Sequence, residues 1–185
     1  LTVLMLFYFG KTTTSKSVVN SEKINKPKSF NIQLFINSEK NNQSTSIQKA
    51  ISNLEKKIDK NADLPQKVDA IFALANYYKD SVLLPEAYLY FISEAAKLDN
   101  SEKNLTFAAQ LYLNSLRDEQ NEAKLDWESS EAISLFEKAI SLNPNNDDLK
   151  VGLGSCYVFG KGRNGNPQET MKGIQELLGV VRKDS

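Results

Sequence analysis

From residue 46 onward, apolar positions recur with a helical period. Ile47, Ala50, Ile51, Leu54 and Ile58 stand at i, i+3, i+4, i+7 and i+11, one apolar stripe along a helix of about four turns. Ser46 is its expected N-cap. Asp63 and Pro65 mark a second start, because proline is pre-organised for a first helical turn. Val68, Ile71, Phe72, Leu74, Ala75, Tyr77 and Tyr78 follow. Pro85 opens another helix with Ala87, Tyr88, Phe91, Ala95 and Leu98, closed by Asp99-Asn100-Ser101. The last stripe, Met171 to Val181, carries Ile174, Leu177, Leu178 and Val180. The pattern predicts an all-α body over residues 63–185, preceded by a leading helix over 46–62.

Ahead of that body the pattern changes twice. Leu1 to Phe9 holds eight apolar residues in nine, followed by Gly10 and Lys11. A bilayer-spanning helix needs roughly 20 apolar residues, and a signal peptide needs a basic start and a small-residue cleavage site. The expectation is the trailing end of a transmembrane or signal-anchor segment over residues 1–10, with Tyr8, Phe9 and Lys11 at the membrane interface. Residues 11–45 read as a polar linker. Only eight of the 36 residues from 11 to 46 are Val, Ile, Leu or Phe, too few to offset the entropy of ordering. Within it, Phe30, Ile32, Leu34 and Ile36 alternate as in a strand. Leu34-Phe35 beside an all-helical remainder also fits a short helix capped by Ser29. Both readings stay open.

Composition narrows the chemistry. The chain has no histidine, one cysteine (Cys156), and 23 basic against 23 acidic residues. That removes Ser-His-Asp and Cys-His nucleophiles, histidine-containing metal sites, internal disulfides and Cys-x-x-Cys redox pairs. No cofactor is expected. Residues 1–62 carry ten lysines and four acids, a net of +6; residues 63–185 carry 13 basic and 19 acidic residues, a net of −6. An acidic helical body excludes nucleic acid as partner. The leading lysines form no block of five like charges and read as a spread-out polar linker. By the positive-inside bias these lysines favour the cytoplasmic side. A basic region ahead of the apolar run would outweigh them. The expected location is membrane-anchored and single-pass with an extracytoplasmic (periplasmic) body, the cytoplasmic side being the alternative.

Spacing adds a repeat. Tyr78, Tyr112 and Tyr157 each lie late in a helix behind small residues: Ala75, Ala108-Ala109 and Gly154. The first two tyrosines are 34 residues apart and the third lies 45 further on. The polar run Arg117 to Glu128, read as an insertion between two helices, accounts for the excess. In the following helix a small residue precedes a bulky one by four: Ala87 and Phe91, Ala132 and Phe136, Gly173 and Leu177.

On these residues the chain resembles the tetratricopeptide repeat (TPR) family, in a membrane-anchored bacterial type. The clearest stretch is Glu131 to Asn146, with Ala132, Phe136, Ala139 and Pro144 at the family's Ala, aromatic, Ala and helix-ending Pro. Leu153-Gly154 and Tyr157 match the family's first helix. Ile71, Leu105 and Lys150 stand where the family has Trp. The first repeat carries an extra residue between Ala87 and Asp99 and ends in Asn100, and Lys161 to Pro167 is an insertion in the third. The resemblance covers residues 66–185. It implies antiparallel helix pairs in about three repeats, forming a short right-handed solenoid that continues beyond residue 185. In such a fold small residues let paired helices approach and aromatics fill the gap to the next pair.

The function this implies is a non-catalytic scaffold that binds a protein partner, as peptide or helix, in a concave groove. Mapped onto this chain, the groove presents Phe72, Asn76, Lys79, Thr106, Gln110, Asn114, Ser155 and Phe159. The family's carboxylate clamp is matched only at Asn76; Phe72, Gln110 and Asp148 do not supply its charge. Self-association through the uncapped last helix is a second expected contact. The alternative is a nucleotide- or anion-binding regulator. Gly160-Lys-Gly-Arg-Asn-Gly165 matches G-x-G-x-x-G, but a helix precedes it where that motif needs a strand, which leaves a weak anion contact through Lys161 and Arg163. Cys156 reads as a buried apolar group and Trp127 as packed. Asp118, Glu119, Glu122, Asp126 and Glu128 lack calcium-loop spacing and read as a solvated face.

Overall fold

The computed structural model describes residues 29–59, 63–163 and 165–183. The apolar segment 1–10 and most of the linker 11–45 lie outside the described residues. Within them the chain forms eight α-helices and no strand. They are α1 (Ile32–Asn41), α2 (Thr45–Asp59), α3 (Leu64–Tyr77), α4 (Pro85–Asp99), α5 (Glu102–Leu116), α6 (Glu122–Leu142), α7 (Asp147–Cys156) and α8 (Pro167–Lys183). Among the described residues no helix is long and apolar enough to cross a membrane.

Local chemistry explains the boundaries. Residues 30–36, open between strand and helix, lie largely in α1. The Asn31 carboxamide, not Ser29, accepts the Leu34 N–H at 3.0 Å, which satisfies a free N-terminal donor. The alternation misleads because Ile32 and Ile36 sit one turn apart facing the body, while Leu34 points to solvent. At α2 the cap is Ser44, whose hydroxyl accepts the Ile47 N–H at 3.4 Å, two residues before the expected Ser46. Asp63 caps α3 through the Gln66 N–H at 3.0 Å, with Pro65 in the first turn. Asn100 closes α4 in the left-handed region at φ 54°.

The run Arg117 to Glu128 is corrected. Only Arg117 to Asn121 connects helices; from Glu122 the chain is already helical. Asn121 accepts the Ala123 and Lys124 N–H groups at 3.0 and 3.1 Å. Leu125, Ser129, Ala132 and Phe136, at i, i+4, i+7 and i+11, form one buried face. The added length is therefore shared: α6 has 21 residues against 15 in α4, less than two turns more, and the remainder lies in the connections on either side of it.

The ends of α3 and α7 share a device. Each runs on into one π-turn opened by a tyrosine, Tyr78–Val82 and Tyr157–Lys161. The first finishes at Leu83, in the left-handed region at φ 58°, with the Leu84 N–H returning to the Tyr78 carbonyl at 3.0 Å.

From α2 onward each helix packs on the next, while α1 packs on α4; α5 with α6 and α7 with α8 run antiparallel. Ser115, late in α5, bonds Glu128, early in α6. Glu102 at the start of α5 receives the Asn146 amide from beyond the end of α6. Likewise Asp147 opens α7 opposite Lys183 at the end of α8. A main core joins α3 to α7 through Leu105, Tyr112, Leu125, Phe136 and Leu149. A smaller one joins α1, α2, α3 and α4 through Ile36, Ile51, Leu74, Tyr78 and Ala87, and Phe91 touches both. Tyr78 and Phe91 stack at 5.4 Å between centroids.

Small residues sit where backbones meet. A methyl on Gly173 would fall 2.6 Å from the Gly154 carbonyl. A methyl on Gly152 would fall 2.4 Å from the Phe136 ring. Glycine is thus the side chain that lets α7 lie against α6 on one side and α8 on the other. The last helix leaves Met171, Ile174 and Leu178 exposed.

Candidate functional site

A cleft of about 260 Å3 opens between the C-terminal half of α5 and the end of α7 with its π-turn. Two capped helix starts align its walls. Ser101 accepts the Asn104 N–H and Asn146 accepts the Asp148 N–H. The Asn146 amide then bonds Glu102 at 2.9 Å, tying the start of α7 to the start of α5. Four of the groove positions expected from sequence meet here: Gln110 and Asn114 on one wall, Ser155 and Phe159 on the other. Each pair is four residues apart, so each lies on one helical face.

The lining mixes polarity. The Gln110 amide donates to Asn114 Oδ1 at 3.4 Å. The Ser155 hydroxyl donates to the Val151 carbonyl at 2.8 Å. Phe159 is 58% exposed, unusual for so large an apolar side chain. Leu113 and Leu116 form the floor, and Arg117 and Arg163 stand at one end. Arg163 donates to the Leu116 carbonyl at 2.7 Å and the Arg117 carbonyl at 3.4 Å, closing the free C-terminus of α5.

The other expected groove residues lie elsewhere. Phe72 is half-buried against the main core. Asn76 is exposed on α3. Lys79 lies over the Tyr88 ring at 5.4 Å. Thr106, one turn before Gln110 on α5, has its hydroxyl oxygen buried without a hydrogen-bond partner. Sequence reasoning missed Leu113, Leu116 and Arg117. Leu113 and Arg117 share the Gln110 face at i+3 and i+7, a readable signal. Sequence reasoning pairs Arg163 with Lys161 as an anion contact of the glycine run and not as a cleft residue, because only the turn after α7 brings it back to α5.

The glycine run takes a structural place. Gly160 is buried, and a methyl there would meet the Ser129 hydroxyl at 2.5 Å. Lys161 is held by Asp126 and by the Ser130 hydroxyl at 2.6 Å. A helix precedes the run, and the run's first two residues, Gly160 and Lys161, close the π-turn. On the opposite side, Tyr157, Glu137 and Lys172 line a shallower depression of about 310 Å3, and their polar groups bond one another.

Three further residues stand out. Cys156 is fully buried, and burial pushes its thiol up to about 12. Trp127 packs between Phe30 and Tyr112, at 5.3 and 5.5 Å between centroids. Glu128 is not part of a solvated face. It is 3% exposed and accepts the Ser115 hydroxyl at 2.8 Å. Burial pushes its carboxyl up to about 7, with Glu119 and Glu86 adding and Ser115 and Lys124 opposing. Lys124 pairs with Glu86 and lies 5.0 Å from the Phe35 ring. Among the described residues no group of three or more potential metal ligands comes together. The chain matches no protein-family model and no curated protein.

Proposed function

We propose that this protein is a non-catalytic scaffold that binds a peptide segment of a protein partner in the cleft between α5 and α7. The carrying observation is the meeting of Gln110, Asn114, Ser155 and exposed Phe159 around one opening. Side-chain amides there can pair with a peptide main chain, while Phe159 and Leu113 offer apolar surface to its side chains. Two exposed carboxamides bonded to each other and an exposed aromatic facing one cleft are of little use to folding, which makes binding the economical reading.

A TPR-like right-handed solenoid is the arrangement we infer for the helix pairs. Its support is the repeated small-to-large spacing, the antiparallel pairing, and the glycine contacts of α7. We also infer a membrane tether through Leu1 to Phe9. Its support is the apolar run and the polar stretch that follows it.

The test is a display screen of short random peptides against the full chain, with affinities then measured by fluorescence anisotropy. Asn114→Ala and Phe159→Ala each weaken selected peptides by about tenfold, the loss of roughly 1.4 kcal/mol. Peptides that bind both variants as tightly as the wild type would refute the assignment to this cleft.

A further inference from the structure

We infer that the cleft is selective for an acidic peptide segment, with a carboxylate held at its Arg117–Arg163 end and an apolar side chain packed against Phe159. This rests on the binding reading above and names the chemistry of its ligand. Two observations carry it. First, the charge in the cleft is of one sign: Arg117 and Arg163 line it and no acidic residue does, although residues 63–185 carry a net charge of −6. Second, neither arginine is neutralised. Among the described residues every ion pair is made by a lysine. Arg163 bonds only main-chain carbonyls, which leave its charge in place.

The size of the opening limits the occupant. A cleft of about 260 Å3 lies at the small end of ligand sites. It holds one or two side chains of an extended segment, not a helix lying along its length. The polarity along the cleft then sets the order of groups. The guanidinium end takes an anion, where planar donors bind a carboxylate with two parallel bonds. The Gln110 and Asn114 amides stand beside the peptide main chain. Leu113 and Phe159 take the apolar side chain. Of the clamp positions implied by the TPR resemblance, Phe72, Asn76, Gln110 and Asp148, only Gln110 lines this cleft, and neither arginine is among them. A carboxylate arrives from an Asp or Glu side chain or from a chain terminus, and both present the same group to the arginines.

The experiment uses the full chain and fluorescein-labelled peptides of equal length built on one Leu- and Phe-containing frame. One carries internal Asp and Glu with an amidated end, one has only a free C-terminal carboxylate, one is neutral and amidated, and one carries Lys. Anisotropy at low and moderate salt gives the affinities. One of the two carboxylate peptides binds about tenfold or more tightly than the neutral one, and salt erodes the difference because the arginines are exposed. Arg117→Ala removes the preference while the neutral peptide binds as before. Arg163→Lys keeps charge but loses the planar donors and weakens the preference. Arg117→Glu turns it toward the Lys peptide, a gain that an unfolded variant cannot give. Equal binding of acidic and neutral peptides, unchanged by Arg117→Ala but lost in Phe159→Ala, overturns the anion selectivity and leaves the cleft as a binding site. No binding by any of the peptides overturns both.

Discussion

Glu128→Gln isolates the cost of one buried carboxylate at the α5–α6 interface. Glu128 is 3% exposed and its carboxyl is pushed up to about 7. Burial is the main cause, and the Ser115 hydroxyl bond and Lys124 act against it. In the unfolded chain the same carboxyl returns to about 4.5. Between those values the folded protein binds more protons than the unfolded chain, so stability falls as pH rises. The contribution is largest below the unfolded value and has been lost above about pH 7. At roughly 1.4 kcal/mol for each pH unit of separation, the ionised carboxylate costs up to about 3 kcal/mol by pH 8. Glutamine keeps an oxygen for the Ser115 hydroxyl and never ionises. The variant is therefore expected to match the wild type near pH 4.5 and to exceed it by 2–3 kcal/mol at pH 8, about 4–12 °C in Tm for a chain this long. Thermal melts of both proteins across that range, followed by circular dichroism, measure it. Trp127, the single tryptophan and the residue before Glu128, gives a second probe by its emission. The other titrating groups are common to both proteins and cancel in the difference. Parallel pH profiles of wild type and variant would refute the reasoning.

Other expectations are more local. Gly173→Val, whose side chain would meet the Gly154 carbonyl, wedges α7 from α8 and costs about 1–3 kcal/mol in urea melts. Gly179→Ala, with nothing within 4 Å, is neutral or gains up to about 1 kcal/mol from helix propensity. Leu83→Gly relieves a left-handed leucine that is 76% exposed and raises stability by about 1 kcal/mol in the same assay. Phe136→Ala empties the space beside Gly152 and costs about 3–5 kcal/mol. Phe30→Ala opens the Phe30–Trp127 contact, 5.3 Å between centroids, and shifts Trp127 emission to longer wavelength while the circular dichroism stays helical.

The helices from α2 to α8 were legible because burial imposes a 3.6-residue period that one sequence records by itself. Pro65, Pro85 and Asp63 announced starts for reasons internal to the first turn. What failed was wherever the deciding contact lay far along the chain. Leu34 alternates with its neighbours as a strand residue would, and only the packing of Ile32 and Ile36 against the body separates helix from strand. The start of α6 was hidden for a related reason. Glu122 to Glu128 is charged on all but a narrow face, and that face carries Leu125 and a buried Glu128. A buried acid looks like a solvated one in sequence; its hydrogen-bond partner, Ser115, lies on α5, and Lys124, one turn before it on α6, pairs with Glu86 on α4 instead.

The candidate site divides the same way. Gln110 and Asn114 were legible because four-residue spacing on α5 puts them on one face, and Ser155 with Phe159 repeats that spacing on the facing element. Arg117 continues the Gln110 face by two turns and was within reach of the same rule. Arg163 was not legible as a cleft residue. Its guanidinium reaches the end of α5 across sequence separations of 47 and 46 residues, and what aims it there is the π-turn that Tyr157 opens. The extra residue of that turn rotates the chain, buries Gly160 against Ser129, and sends Lys161 toward Asp126 while Arg163 goes to the Leu116 carbonyl. The two cations of the glycine run thus part company within three residues. Lys161 becomes a tie between α7 and α6, and Arg163 becomes the charged end of the cleft.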